Sequence, residues 1–255
     1  MNRFVYVDNK KSNKPLLGFN LTFPSPDLAE FMGIIGFDYV FIDGEHFAFN
    51  IETLQSIARA AKLTNMLPIA RVPKNDPEII LEYLEIGIWG IVVPHVNTRE
   101  DAEKAVNAIK YPPLGTRGAG GRARTAGYGL VSRPSEYFTY ANEHTIVIPM
   151  IEEEEAFKNL HDILSVTGID FFDFGPCDLS LSMGLSSQCD SPEVQELIAA
   201  AKVRIKNSNK GYVAPVSTIE YAIKAKEEGA SLIEFNTNVF LQRQASCFLN
   251  KLREN

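Results

Sequence analysis

The sequence predicts an α/β fold, a single (β/α)8 (TIM) barrel, and three observations carry that expectation. Eight short apolar runs alternate strictly with eight helix-length segments along 255 residues, the pattern of a parallel sheet wrapped by helices. No internal stretch rich in glycine, serine or charge divides the chain, and its length is that of one barrel. Several apolar runs stop abruptly at acidic, basic or imidazole side chains, as strands do where they surface at the catalytic rim of such a barrel. A doubly wound open sheet is the alternative, and the count of eight strands disfavours it.

The elements follow in order. Residues 1–14 are polar and rich in Lys and Asn, a lead-in to a first strand over Leu16–Leu21. Ser25 can cap the next helix, with Pro26 in its first turn and Leu28, Phe31 and Met32 leading to Gly33. Tyr39-Val-Phe-Ile42 is a continuously apolar second strand of the kind buried on both faces. A helix over 51–63 places Leu54, Ile57, Ala58 and Ala61 on one side. Leu67–Val72 is the third strand, Asn75-Asp-Pro77 opens a helix ending near Gly87, Gly90–Pro94 is the fourth strand, and a helix covers 100–109. The segment 111–124 then breaks the rhythm with clustered glycine and proline. Arg117 and Arg124 there could meet an anion or stay solvated; a loop this long is usually functional or disordered. Strands resume at 145–151, 169–174, 211–214 and 231–235, with helices at 153–164, 192–207, 217–228 and 238–252.

A net charge of −7 argues against nonspecific binding to nucleic acid or to an anionic membrane. Hydrophobic residues make up 45% of the chain, enough for a large core, yet no run approaches a membrane span and the N-terminus has no apolar signal core. Cys177, Cys189 and Cys247 show no paired metal spacing, and an odd thiol suits a reducing cytoplasm.

Closing the barrel puts the residues after each strand on one rim: Asp43, Glu45 and His46 after the second, Arg71 at the end of the third, His95 after the fourth, Glu152 after the fifth and Asp178 beyond the sixth. Two carboxylates, Glu152 and Asp178, suit a hard divalent cation that leaves positions for water and substrate. Arg71 suits an anionic oxygen, and His46 is the natural proton carrier near neutral pH. Plainer roles stand beside these. Asp43 and Glu45 can cap the next helix, Asp178 can cap a short turn, and Glu152 heads a run of four glutamates, although it alone continues the buried strand. His95 fits a structural role as well as a chemical one, and His144 and His161 sit among polar residues with no assigned role.

Five ordered motifs carry a resemblance: Gly36-Phe-Asp-Tyr-Val-Phe-Ile-Asp-Gly-Glu-His46, Arg71-Val-Pro-Lys-Asn-Asp-Pro77, Tyr111-Pro-Pro-Leu-Gly-Thr-Arg-Gly118, Ile151-Glu152 and Gly175-Pro-Cys-Asp-Leu-Ser180. In order and spacing, over about residues 15–250, the chain resembles the HpcH/HpaI aldolases. These are metal-dependent class II pyruvate aldolases, such as 4-hydroxy-2-oxoheptanedioate aldolase and 2-keto-3-deoxy-sugar-acid aldolases. The resemblance implies a (β/α)8 barrel holding a divalent metal, Mg2+ or Mn2+ with Co2+ a further candidate, on Glu152 and Asp178. It implies that Arg71 contacts the pyruvoyl oxygen and that His46 is the base, paired with Glu85 where the family has Asp. The backbone of Gly175, Pro176, Cys177 and Asp178 would receive the carboxylate. The implied reaction cleaves a 4-hydroxy-2-oxo acid or 2-keto-3-deoxy sugar acid to pyruvate, or a close 2-oxo acid, and an aldehyde through a metal-held enolate. The implied assembly is a homohexamer, a trimer of dimers, whose last helix packs on a neighbour.

Three departures touch the substrate side: Met150 where the family usually has Gln, Cys177 for Ala, and Asn238 for Asp. They keep two other readings open, a decarboxylase or other lyase acting on an oxaloacetate-like acid, and a catalytically silent metabolite-binding barrel. A lysine Schiff-base route is disfavoured, since only Lys74 lies near the carboxyl end of a strand.

Overall fold

The computed structural model describes residues 14–130 and 133–253, so nearly all of the lead-in read over 1–14 lies outside the described residues. Eight parallel strands close into a barrel in sequence order: β1 (Leu16–Leu21), β2 (Tyr39–Asp43), β3 (Leu67–Arg71), β4 (Gly90–Val93), β5 (Ile146–Ile151), β6 (Phe171–Phe174), β7 (Gly211–Val216) and β8 (Leu232–Asn236). The expected (β/α)8 barrel is the observed fold. β1 closes the cylinder, with Gly18 standing opposite Tyr39 of β2 and Glu234 of β8.

Successive strand residues point to opposite faces, so the apolar runs feed two cores. Outward residues such as Val40, Ile42 and Ile91 pack against helical Ile57, Ala61, Ile80 and Leu84. Inward residues such as Phe41, Ile69, Ile148 and Val213 fill the barrel. Burial on both faces is why the strands read as unbroken apolar runs. The first four helices are α1 (Pro26–Ile35), α2 (Ile51–Leu63), α3 (Pro77–Ile86) and α4 (Arg99–Ile109). Each begins at a side-chain cap: Ser25, Asn50, Asp76 and Thr98 accept backbone N–H bonds that the helix itself leaves unmade.

The second half departs from the expected count of helices. The connection from β4 to β5 contains a helix that the sequence pattern missed, α5 (Pro134–His144), with Tyr137, Ala141 and His144 buried along one face. His144 is therefore buried rather than set among polar groups, and its ring stacks on Tyr140 at 3.8 Å. The expected helix over 153–164 is two short ones, α6 (Glu154–Lys158) and α7 (Leu160–Leu164), parted at Asn159. A further short helix, α8 (Pro176–Ser182), leads from β6 toward α9 (Pro192–Asn207); α10 (Ile219–Glu227) and α11 (Thr237–Arg253) complete the chain. Thr237 is the one buried residue of α11, and Phe240, Leu241, Phe248, Leu249 and Leu252 are exposed.

Candidate active site

The carboxyl ends of β2 and β3 build the firmest part of the site. Asp43 ends β2 and turns the chain, its Oδ1 accepting the N–H groups of Glu45 and His46 at 3.1 and 3.3 Å. The same carboxylate grips Arg71 at the end of β3, with Nε donating to Oδ1 at 2.9 Å and Nη2 to Oδ2 at 2.6 Å. This two-point geometry is the one guanidinium and carboxylate share best. Burial pushes the Asp43 carboxyl up, but the Arg71 hydrogen bond and charge, with the two backbone donors, outweigh it and hold the group below its ordinary value. Asp43 is thus the orienting partner of Arg71 as well as the turn cap read from the sequence. The remaining arm of Arg71, Nη1, lies 3.2 Å from Glu45 Oε2 and 3.5 Å from Met150 Sδ.

Glu152 follows β5 and is almost fully buried. Its Oε1 accepts the backbone N–H of His95 at 2.7 Å. Burial raises its carboxyl, opposed by His95 and Arg71, while the charge of Asp178 raises it further. Asp178 reaches this neighbourhood on the first turn of α8, and Gly175 is what permits it. A Cβ at 175 would stand 2.6 Å from both Cβ and Oε2 of Glu152, so any larger residue would push α8 away. Two carboxylates therefore face one region. Among the described residues no group of three or more His, Cys, Asp or Glu is arranged as a metal cage. An oxygen-only pair fits a hard divalent cation that completes its shell with water and substrate.

His95 has more chemistry than its sequence reading allowed. It adopts a left-handed backbone, φ +54°, rare outside glycine, which aims its ring into the acidic corner. Nδ1 lies 2.9 Å from Glu153 and 3.5 Å from Glu152, and Nε2 lies 3.5 Å from Glu45. Partial burial lowers its pKa, but Glu152, Glu153 and Glu45 outweigh that and favour the imidazolium. The abrupt stop of β4 at Pro94-His95 was the available signal.

Other expected members sit differently. His46 is exposed on its side chain, 58%, with Glu45 its ionic neighbour at 3.9 Å. Glu85 does not join it. The Glu85 carboxylate instead takes Arg117 Nη2 at 2.9 Å, and Arg117, buried under the Tyr111 ring at 4.5 Å, is a loop anchor rather than a solvated cation. The chain brings Glu85 to Arg117 because the 111–124 loop folds back over α3. Asn238 accepts from Thr22 Oγ1 at 2.6 Å and ties α11 to the end of β1. Cys177 is bonded to Cys189, leaving Cys247 as the one unpaired thiol; the bridge itself is at odds with the reducing compartment that the odd thiol suggested.

Two inward carboxyls escaped notice in the sequence, Asp173 on β6 and Glu234 on β8. Burial pushes Asp173 up to about 6, with Phe174 N–H and Arg71 opposing and the Glu152 and Asp43 charges adding. Burial and then the Asp173 charge push Glu234 up to about 8 against the hydrogen bond from Asn20. A lone acid inside Phe-Phe-Asp-Phe and Leu-Ile-Glu-Phe was the signal.

A barrel that gathers two carboxylates, a carboxylate-held arginine and two imidazoles at the ends of its strands has the parts of a metal-dependent carbon–carbon lyase. Residues 17–235 match the model of the HpcH/HpaI aldolase/citrate lyase family, and the chain belongs to that family; it is a class II aldolase. It is 34% identical over 236 residues to a 4-hydroxy-2-oxo-heptane-1,7-dioate aldolase of Escherichia coli, covering 92% of this chain and 89% of that one. It is 33% identical to a 5-keto-4-deoxy-D-glucarate aldolase of Shigella sonnei, covering 87% and 86%. A solved citrate synthase, SbnG, superposes with a TM-score of 0.86 at 29% identity, over 97% of this chain and 96% of that one. No helix of the described residues is long and apolar enough to cross a membrane.

Proposed function

We propose that this aldolase cleaves a 4-hydroxy-2-oxo acid or 2-keto-3-deoxy sugar acid reversibly to pyruvate, or a close 2-oxo acid, and an aldehyde. The observation that carries the reading is the buried Glu152 beside Asp178, facing an Arg71 locked by Asp43. A divalent cation, Mg2+ or Mn2+ by the preference of an all-oxygen donor pair, would be held by Glu152 and Asp178 and would supply Lewis-acid stabilisation of enolate charge. Arg71 presents a fixed positive donor to the same developing charge, pre-oriented by Asp43 so that no reorganisation is needed during reaction. The backbone N–H groups of Cys177 and Asp178 at the start of α8 receive the carboxylate of the 2-oxo acid; Pro176 has no N–H, and that of Gly175 is taken by Ile151 O. His46, exposed at the rim beside Glu45, takes the proton of the 4-hydroxyl as the C3–C4 bond breaks and returns it in synthesis. His95 keeps Glu152 in place through its backbone N–H.

The test is pyruvate release from a panel of hydroxy-oxo acids, abolished by EDTA and restored by Mn2+ or Mg2+. Activity that survives EDTA, with borohydride inactivation in the presence of substrate, would refute it in favour of a lysine imine. A second reading, a decarboxylase or other lyase acting on an oxaloacetate-like acid, draws support from the likeness to a citrate synthase and from Met150, whose thioether gives a substrate hydroxyl little to bond. Oxaloacetate turned over faster than every hydroxy-oxo acid would favour it. A barrel silent in catalysis would show neither reaction while still binding pyruvate in calorimetry. The exposed apolar side chains of α11 support a homo-oligomer, proposed as a hexamer; a cytoplasmic location is proposed from the unpaired thiol of Cys247, and the Cys177–Cys189 bridge counts against it. Analytical ultracentrifugation and cell fractionation test these two.

A further inference from the structure

We propose that the Cys177–Cys189 bridge is a redox-responsive clamp on the cation-binding side of the site: bridged, it holds α8 and Asp178 against Glu152, and reduced, it loosens the segment and weakens divalent-cation binding. The inference rests on the reading of Glu152 and Asp178 as the metal pair. Those two carboxylates stand on very different supports. Glu152 extends a barrel strand and is 1% exposed. Asp178 rides on a seven-residue helix in which Leu179 and Ser180 are the buried residues. Cys177 is its immediate neighbour, and the bridge joins it to a loop residue 12 positions on.

Met183 and Leu185 of that loop pack half-buried against the core, and the rest of it is lightly held. Between α8 and α9 the chain is mostly exposed. It is fastened by Leu185 N–H to Ser180 O, Gln188 N–H to Leu185 O, Ser191 N–H to Gln188 O, and Gln195 Nε2 to Cys189 O. Ser186 and Ser187 both take left-handed backbone angles, φ +53° and +63°, uncommon outside glycine. A segment with few buried contacts opens locally at low cost, and a covalent link across its ends is what opposes that opening. Cys177 is exposed and Cys189 partly so, within reach of a small dithiol.

The chemistry is thiol–disulfide exchange. One thiolate of a dithiol attacks a bridge sulfur, and its second thiol resolves the mixed disulfide. The bridge takes up two electrons and two protons to give two thiols, and the dithiol leaves as a cyclic disulfide. A small-molecule disulfide such as oxidised glutathione reverses the step by the same exchange.

The experiment titrates the full chain with Mn2+, following free Mn2+ by electron paramagnetic resonance, before and after treatment with dithiothreitol and anaerobic desalting; alkylation of the denatured chain counts thiols by mass. The untreated chain should take one alkyl group and the reduced chain three, with the Mn2+ Kd rising at least tenfold on reduction. Cys189→Ser should bind weakly in both conditions, and Cys247→Ser should respond as the parent does. Three alkyl groups without reductant, or a Kd indifferent to reduction, would overturn the clamp. Mn2+ binding that is lost in Glu152→Gln yet indifferent to reductant sinks the clamp alone. Binding unaffected by Glu152→Gln sinks the metal pair, and the clamp with it.

Discussion

Glu234→Gln should stabilise this protein, and by an amount that grows with pH. The carboxyl is enclosed in the barrel, and its pKa stands at about 8 against an ordinary 4.5, because burial and the nearby Asp173 both penalise its charge. A tenfold difference in proton affinity is worth about 1.4 kcal/mol. A raised carboxyl contributes its full stability below the ordinary value and loses it as pH rises through the folded value. At pH 4 the glutamate therefore costs almost nothing. At pH 7 the fold must keep it protonated while the unfolded chain ionises, at a cost of about 3 kcal/mol, and above pH 8 the penalty levels off near about 5 kcal/mol. Glutamine cannot ionise, and its carbonyl can still accept the hydrogen bond that Asn20 gives Glu234 Oε1 at 3.3 Å. The assay is thermal unfolding of parent and variant from pH 4 to 9. At 2–4 °C per kcal/mol for a chain of this size, the variant should match the parent at pH 4 and melt on the order of 10 °C higher at pH 8. A difference in Tm that does not change with pH would refute the reasoning, since the titration of a buried acid would then be absent.

Three further outcomes follow from the site. Asp43→Asn should cost about 3–5 kcal/mol, because it takes the two-point carboxylate partner from the buried Arg71 guanidinium and leaves Glu45, at 3.2 Å, as its remaining ion pair; denaturant unfolding measures the loss, and kcat should fall with it. His46→Ala should leave Mn2+ binding intact and lose at least 100-fold in kcat, and normal turnover in that variant would remove His46 from the mechanism. Gly175→Ala should weaken Mn2+ binding with little loss of global stability, because the added methyl forces α8 away from Glu152, as cation titration beside a melting curve would reveal.

The fold was legible because periodicity reports burial, and a barrel strand is buried on both faces. Each of the eight strands fell within two residues of its expected limits, since an apolar run ends where the chain meets water. The helices were less legible in the β4–β5 and β6–β7 connections. Pro134–His144 buries only three side chains and exposes Glu136 and Glu143, too weak an apolar stripe to stand out beside glycine-rich sequence.

The site divides along a similar line. Asp43, Arg71 and Glu152 could be placed from sequence because each directly ends or continues a strand, and a strand end in a barrel has a fixed address. Glu85 and Arg117 could not, since their pairing depends on how the 111–124 loop folds, and loop paths leave no periodic trace. Asp173 and Glu234 were hidden for the opposite reason. They stand at inward positions of strands, where a carboxyl is so unfavourable that the pattern around them reads as apolar. A position that costs the fold stability at neutral pH has to be held for something other than stability, and both acids lie close enough for the Arg71 charge to act on them. Asp173 also adds to the forces that keep the guanidinium charged, after the opposing cost of burial and the larger effects of Asp43 and Glu45. The Glu234→Gln variant therefore separates two consequences of one residue: if its higher Tm at pH 8 comes with a changed KM for the 2-oxo acid, the buried acids tune Arg71 in its proposed substrate-binding role, and if KM is unchanged their influence ends at the barrel core.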